Sequence, residues 1–300
     1  MIQERKEKKV RSLEEYIKTV LELSDGLRVT REQDEMLYFR GQADKKYELI
    51  PSVARYLDKT SEKQLMEYER NLIEAAKRKY PSLFAQEQYP VDLLAKLQHY
   101  GIPTRLLDVS SNPLVALFFA CNKEKNADGE VIVFKDSNAS AHHASIHHAL
   151  ADSYRFANRM GSFPYKEIMD GKEEMERFFE IVCNDLIFVS ALELTEMQKA
   201  QQGTYILFPN FIESRDDKER VFSNRIQQIE KDSKHIEFIL TIPKKQKSTF
   251  MNHLAVLGVT ESTLFPDRVD AGCKEITQRQ QDRIRNTMAM LSGKNKESTP

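Results

Sequence analysis

Cysteine is scarce in this chain of 300 residues, long apolar runs are missing, and neither sign of charge is in excess. The three cysteines, Cys121, Cys183 and Cys273, are odd in number and widely spaced, which suits neither a disulfide framework nor a zinc site. The longest fully apolar run is Pro113–Cys121, less than half of the ~20 residues that a membrane helix needs. No apolar core follows the basic residues near the N-terminus, so a secretory signal is not expected. Formal net charge is −1, and no global field draws nucleic acid or anionic lipid. The expectation is a cytoplasmic protein with no membrane and no nucleic-acid partner. A glycine-rich phosphate loop, a dinucleotide-binding glycine triplet, a nucleophile elbow and zinc-finger spacing are all absent too.

What is present suits a globule with a substantial core and a charged surface, since 40% of residues are hydrophobic and 30% charged. Arg5, Lys6, Lys8, Lys9 and Arg11 crowd beside Glu4 and Glu7. That stretch reads as a flexible basic arm over residues 1–10, with a local basic patch as the alternative. Ser12 and Glu15 form a capping box opening a helix with the stripe Leu13, Tyr16, Ile17 and Val20, ended by Asp25-Gly26. Met36–Phe39 reads as a buried strand stopped at Gly41. Ser61 and Gln64 open a helix that Pro81 stops after Tyr80. Asp92–Tyr100 is helical, with Gly101 as its C-cap. Asn112-Pro113 starts a helix whose body, Leu114–Ala120, is apolar on nearly every face and so should be buried.

Val131–Phe134 reads as a strand, and residues 137–184 as helical and polar. Strands follow at Leu186–Ser190, Thr204–Phe208 and Glu237–Ile242, then helices at Lys244–Leu257 and Asp270–Leu291. Residues 292–300 form a small, charged tail expected to be disordered. No repeat or linker divides residues 11–291. Strands scattered irregularly among helices predict an α+β class: one mixed domain with a small central, split antiparallel sheet surrounded by helices.

Several segments carry a resemblance. Tyr38-Phe39-Arg40-Gly41-Gln42, the run Gln98-His99-Tyr100-Gly101-Ile102-Pro103-Thr104-Arg105-Leu106-Leu107-Asp108, and Asn112–Ala120 resemble, in order, the signatures of the FRG-domain family. Gln201-Gln202-Gly203-Thr204-Tyr205 and Thr263-Leu264-Phe265-Pro266-Asp267 are similar to its later pieces. The ordered set spans roughly residues 11 to 275. The family's motif order in turn distantly resembles NAD-dependent ADP-ribosyltransferases, which implies NAD as substrate, no metal, and a bacterial defence or toxin setting. It also implies an early-strand arginine, a Ser/Thr-bearing strand before an apolar helix, and a late Glu or Gln on the nicotinamide ribose. The family usually has an arginine four residues before this glutamine, whereas here Met197 occupies that place.

The candidate residues can be weighed by their chemistry. Arg40 could grip a pyrophosphate with its guanidinium fork, and Gly41 would let a ligand approach the backbone. Equally, Arg40 could pair with a core carboxylate such as Asp108. Thr104, Leu106 and Asp108 would share one strand face, with Arg105 and Leu107 on the other. Thr104, Arg105 and Asp108 are candidate cofactor contacts. Ser110 and Ser111 could hold a phosphate at the next helix start, or simply complete turn and cap bonds. Gln201 could orient a ribose hydroxyl, and Glu196 or Glu193 could supply the carboxylate that an oxocarbenium-like state prefers. His99 is a general acid or base, or a histidine stabilised by a helix C-terminus. His142, His143, His147 and His148 include i, i+4 spacing but no third ligand, so a solvated helix or loop is the plainer reading. Lys244-Lys245-Gln246-Lys247 reads as a solvated helix start. Two functional classes remain: an NAD-cleaving or ADP-ribosylating enzyme, and a non-catalytic sensor of a nucleotide or protein partner.

Overall fold

A computed structural model describes residues 7–30, 35–55, 65–86, 89–136, 145–156, 186–192, 195–209, 212–216, 219–222 and 226–266. The strands are β1 (Glu7–Lys9), β2 (Met36–Gln42), β3 (Leu106–Ser110), β4 (Gly129–Asp136), β5 (Ile187–Val189), β6 (Gly203–Leu207), β7 (Ile212–Asp216), β8 (Glu219–Phe222) and β9 (Ile236–Ile242). The α-helices are α1 (Leu13–Thr30), α2 (Ser52–Arg55), α3 (Leu65–Lys79), α4 (Pro81–Phe84), α5 (Pro90–His99), α6 (Pro113–Asn122), α7 (Ser145–Ala151), α8 (Glu196–Gln201), α9 (Lys247–Val256) and α10 (Glu261–Leu264). A 3-10 turn, Asp152–Phe156, follows α7.

The α+β class is as expected, but the sheet is larger and less uniform than predicted. Seven strands run in the order β1-β9-β4-β2-β3-β6-β5, with β7 and β8 as a separate hairpin. The sheet is mixed, because β1 lies parallel to β9. The stretch assigned to a solvated arm therefore ends in an edge strand, and Val10 beyond it is buried. The predicted split shows as a weak seam. β2 pairs with β4 over seven positions from Met36 to Gln42, whereas β2 and β3 share a single register pair, Phe39 opposite Ser110.

By strand alternation Phe39, Ser110, Asp108 and Leu106 lie on one face. Two apolar clusters sit side by side on that face. One joins α1, α6 and α9 to β2, β4 and β9 through Tyr16, Phe39, Leu117, Val131, Leu240 and Phe250. The other joins α3, α5 and α7 to β3, β5 and β6 through Ile73, Leu94, Leu106, Leu150, Ile187 and Leu207. The opposite face is covered by a third cluster that includes Tyr38, Leu49, Ile132 and Ile206.

Helix α6 shows how composition sets position. Asn112 caps it by accepting the Leu114 N–H at 2.9 Å, and Pro113 opens it. Its apolar body is buried as predicted, except that Leu114 and Phe119 are half-buried. A Cβ on Gly41 would come within 1.8 Å of the Ala116 carbonyl oxygen, and one on Gly129 within 2.3 Å of the Ala120 carbonyl oxygen. Both glycines are thus required by a helix lying directly on the sheet. Helix packing is therefore a second reason for glycine at position 41, beside its reading as a ligand-approach position.

Other element ends differ locally. Helix α1 continues through Gly26, which the helix tolerates at a modest entropic cost. Pro81 begins the short α4, an N1 position that proline favours. Strand β3 starts at Leu106, so Thr104 precedes it. Gly101, at φ +83°, follows α5 as anticipated. The helix expected over Asp270–Leu291, the tail after 292, and most of 137–184 lie outside the described residues, as do Cys183 and Cys273.

Candidate functional site

The seam between β2 and β3 opens into a two-lobed cleft. The first lobe, about 310 Å³, is lined by Arg40, Gln98, His99, Asp108, Gln201 and Tyr205 among others. The second, about 490 Å³, is lined by Arg40, Tyr47, Glu48, Arg55, Lys123 and Glu261 among others. Arg40, Gly41, Phe119 and Phe265 belong to both lobes. The rings of Phe119 and Phe265 meet edge to face with centroids 6.1 Å apart, which makes an aromatic divider.

Arg40 alternates away from Phe39 and Gly41, and its Nη1 donates to the backbone carbonyl of Asp108 at 2.5 Å. The bond fits the strand geometry. Phe208 N–H donates to the Arg105 carbonyl on the β6 side, so alternation turns the Asp108 carbonyl towards β2. Arg40 supplies the donor that a fully paired β2 would have given. The alternative reading, an Arg40–Asp108 ion pair, does not form; instead the side chain meets main chain. The Arg40 Nε is buried without a partner. Burial draws this guanidinium down to about 10, with Asp108 opposing the shift and Arg55 adding to it, so it stays cationic at neutral pH.

The Asp108 carboxylate is exposed and held from the other side. Gln98 Nε2 donates to Asp108 Oδ1 at 2.7 Å. The Thr104 hydroxyl donates to Gln98 Oε1, which fixes the orientation of that amide. Thr104 therefore reaches the cleft only through Gln98, because its own hydroxyl is buried and does not line either lobe. Ser52 anchors this corner: its hydroxyl accepts the Thr104 N–H at 3.1 Å and donates to the Thr104 carbonyl at 3.2 Å.

Arg105 is not a ligand contact. It is fully buried and bonded to Glu69 of α3 through Nε, at 3.0 and 2.9 Å to the two carboxylate oxygens, and through Nη2. Its Nη1 donates to the Ser153 hydroxyl at 2.9 Å. Arg105 precedes β3 and turns to α3, because a buried guanidinium needs a carboxylate and Glu69 supplies it. Ser110 lines the first lobe, and its hydroxyl also completes turn and cap bonds. Its hydroxyl donates to the Gln201 carbonyl at 2.7 Å and accepts the Asn112 N–H at 3.0 Å.

Gln201 lines the first lobe, and its Nε2 donates to the Leu264 carbonyl at 3.1 Å, tying α8 to α10. Glu196 lines neither lobe; it is exposed and paired with Lys199 at 2.9 Å. It opens α8 one turn and more before Gln201, on the solvent side. Glu193 lies outside the described residues. His99 lines the first lobe with its Nδ1 buried and unpartnered, and packs edge-on against Tyr100. Tyr205 was not singled out from sequence. Its hydroxyl accepts from Gln198 Nε2 at 3.2 Å, and burial, then Asp108, pushes it up to about 12.

Two basic features proved less solvated than expected. Lys247 is buried, with its ammonium donating to the carbonyls of Ala43, Glu124 and Lys123 at 2.6, 3.0 and 3.1 Å. Three carbonyls replace water, although burial still lowers its pKa. His147 is buried in α7, and the His148 ring lies tilted against that of Tyr89 with centroids 5.1 Å apart. His142 and His143 lie outside the described residues. Among the described residues no group of three or more His, Cys, Asp or Glu is placed to hold a metal. Nor is any described helix long and apolar enough to cross a membrane.

Gln98 and Tyr205 stood inside the quoted motifs, and their contacts with Asp108 and Gln198 are the signal that singles them out. Phe265 also stood in a motif, whereas Arg55 carried no sequence signal. No curated protein and no solved structure matches the chain. Residues 35–129, which supply Arg40, Gln98, His99 and Asp108 together with helix α6, match the family model for the FRG domain; this chain contains an FRG domain.

Proposed function

We propose that this protein binds a nucleotide, NAD first among those to test, in the cleft around Arg40. In this reading it cleaves the nicotinamide–ribose bond, or transfers ADP-ribose to a protein target, within a bacterial defence or toxin system. The observation that supports it is the meeting of Arg40, Asp108, His99 and Gln201, from four separate elements, on one cleft. Each lobe falls in the size range of ~300–1,000 Å³ usual for small-molecule sites.

The chemistry follows from what lines the first lobe. Arg40 offsets phosphate charge. Asp108, rather than Glu196, is the carboxylate beside the ribose, where an oxocarbenium-like transition state needs negative charge. Gln98 and Thr104 hold that carboxylate still. Water adds to the anomeric carbon as the N-glycosidic bond breaks, its electron pair leaves on nicotinamide, and the water's proton passes to His99. ADP-ribose, nicotinamide and a proton result; an acceptor nucleophile in place of water gives ADP-ribosyl transfer.

A binding-only sensor is the second reading, and Gln201 favours it. This side chain spends its amide N–H on Leu264 and carries no charge. One experiment separates the readings. Purified protein is titrated with NAD by calorimetry and assayed for nicotinamide release, alongside Arg40→Ala. Binding and release that both depend on Arg40 support the enzyme. Binding without release supports the sensor, and the absence of both sinks the nucleotide reading.

A further inference from the structure

We propose that the second lobe of the cleft is a diphosphate subsite, where Arg40 and Arg55 grip the two phosphates of a pyrophosphate-linked nucleotide. The proposal deepens the nucleotide reading and depends on it only for the identity of the nucleosides.

The geometry begins with how the cations here are held. Lys199, Arg155, Lys135 and Arg105 each meet a carboxylate: Glu196, Asp152, Glu35 and Glu69. Arg40 and Arg55 both line the second lobe, yet among the described residues neither forms an ion pair. Each is anchored by a backbone carbonyl instead: Arg40 by Asp108 at 2.5 Å, and Arg55 by Ile50 through Nε at 3.1 Å and Nη2 at 2.8 Å. A carbonyl fixes the plane of a guanidinium but leaves its unit charge uncompensated. Two such forks facing one lobe match the paired oxygens of a diphosphate.

Independent features point the same way. Burial lowers the pKa of Arg40, Asp108 opposes the shift and Arg55 adds a smaller part to it, and a bound dianion would offset both lowering causes. The Arg40 Nε is buried without a partner and so remains an unused donor. The lobe is also not simply a basic patch. Glu48 and Glu261 stand on its rim, where they would repel a polyanion but accept hydrogen bonds from ribose hydroxyls. Tyr47, Phe119 and Phe265 add ring faces for a base. Arg40 lies at the junction of the lobes, so a diphosphate there would link one nucleoside in each.

The test uses the full chain, with wild type, Arg55→Ala and Arg55→Lys titrated with ADP-ribose, AMP and sodium pyrophosphate. ADP-ribose should bind about tenfold or more tighter than AMP, as expected for a second charge-assisted phosphate contact. Arg55→Ala should erase most of that preference while AMP affinity changes less than about twofold. Arg55→Lys, which keeps the charge but not the fork, should fall between the two. Pyrophosphate should compete with ADP-ribose in wild type and not in Arg55→Ala. Failure of pyrophosphate to compete, or equal weakening of AMP and ADP-ribose by both variants, overturns the subsite. Arg55-dependent pyrophosphate binding with no NAD binding or turnover keeps the subsite and overturns the NAD reading. NAD turnover unaltered in affinity and rate by Arg55→Ala does the reverse.

Discussion

Arg40 and Asp108 meet side chain to main chain: the arginine Nη1 donates to the aspartate's carbonyl oxygen, and the aspartate's carboxylate belongs to Gln98 instead. One arginine thereby bridges the seam between two strands while the neighbouring carboxylate stays available on the cleft wall. The arrangement couples the local stability of the seam to the charge of the site.

Replacing Arg40 should therefore cost stability as well as ligand binding. Arg40→Ala leaves the Asp108 carbonyl without its donor, which predicts a loss of about 1–3 kcal/mol. Urea denaturation followed by circular dichroism measures it as a lower midpoint at unchanged slope. An unshifted midpoint would show that water replaces the guanidinium without cost.

Gly41→Ala should be more damaging than an ordinary strand substitution. The new Cβ would meet the Ala116 backbone oxygen, so α6 has to move off the sheet, at a cost of about 3 kcal/mol or more. Because the obstructing atom is main chain, Ala116→Gly should not rescue it. Thermal melts of the single and double variants check both statements, and rescue would contradict the packing account.

The buried Arg105–Glu69 pair gives a prediction by double-mutant cycle. Glu69→Ala or Arg105→Ala alone strands a charge in the core and should cost about 3–5 kcal/mol. The paired change Glu69→Leu with Arg105→Met should recover most of the loss, since neither charge is then buried unpaired. A double variant as unstable as the sum of the singles would show that specific hydrogen bonds, including that to Ser153, hold this corner.

Alkaline pH should weaken the fold through Cys121. Burial pushes its thiol from an ordinary value near 9 up to about 12, with nearby Lys247 opposing the shift. The folded pKa is the higher one, so the stabilisation is present below pH ~9 and is lost as pH rises towards 12, at about 1.4 kcal/mol per unit. Tyr205 and Tyr38, both pushed up to about 12, add to the loss only above pH ~10, where the lowered Arg40 acts in the opposite sense. Below pH ~10 the loss through Cys121 is opposed by Lys247, whose lowered pKa acts in the same sense as that of Arg40, and Cys121→Ala should remove that loss in urea titrations.

Local features were legible wherever the cause was local. The Asn112-Pro113 start of α6, the burial of its apolar body and the Gly101 turn all follow from a few adjacent residues. Six of the candidates in or beside the FRG segments, Arg40, Gly41, His99, Asp108, Ser110 and Gln201, line one cleft. Arg105 and Lys247 took their places through partners distant in the chain, whereas Glu196 meets Lys199 three residues on. Arg105 is claimed by Glu69, 36 residues earlier, and Lys247 by carbonyls more than 100 residues away.

By itself, then, the sequence determined the α+β class, the starts of α1 and α6 and the residues around which a site could form, since these depend on periodicity, capping and adjacent side chains. Only the tertiary structure decided that Gly41 serves helix packing, that Arg40 bonds a carbonyl rather than a carboxylate, and that Arg55 joins it on a common lobe. Those outcomes depend on which strands lie side by side and how far apart they stand. That is a relation between distant segments, fixed by the alternation of the strands and the close approach of α6.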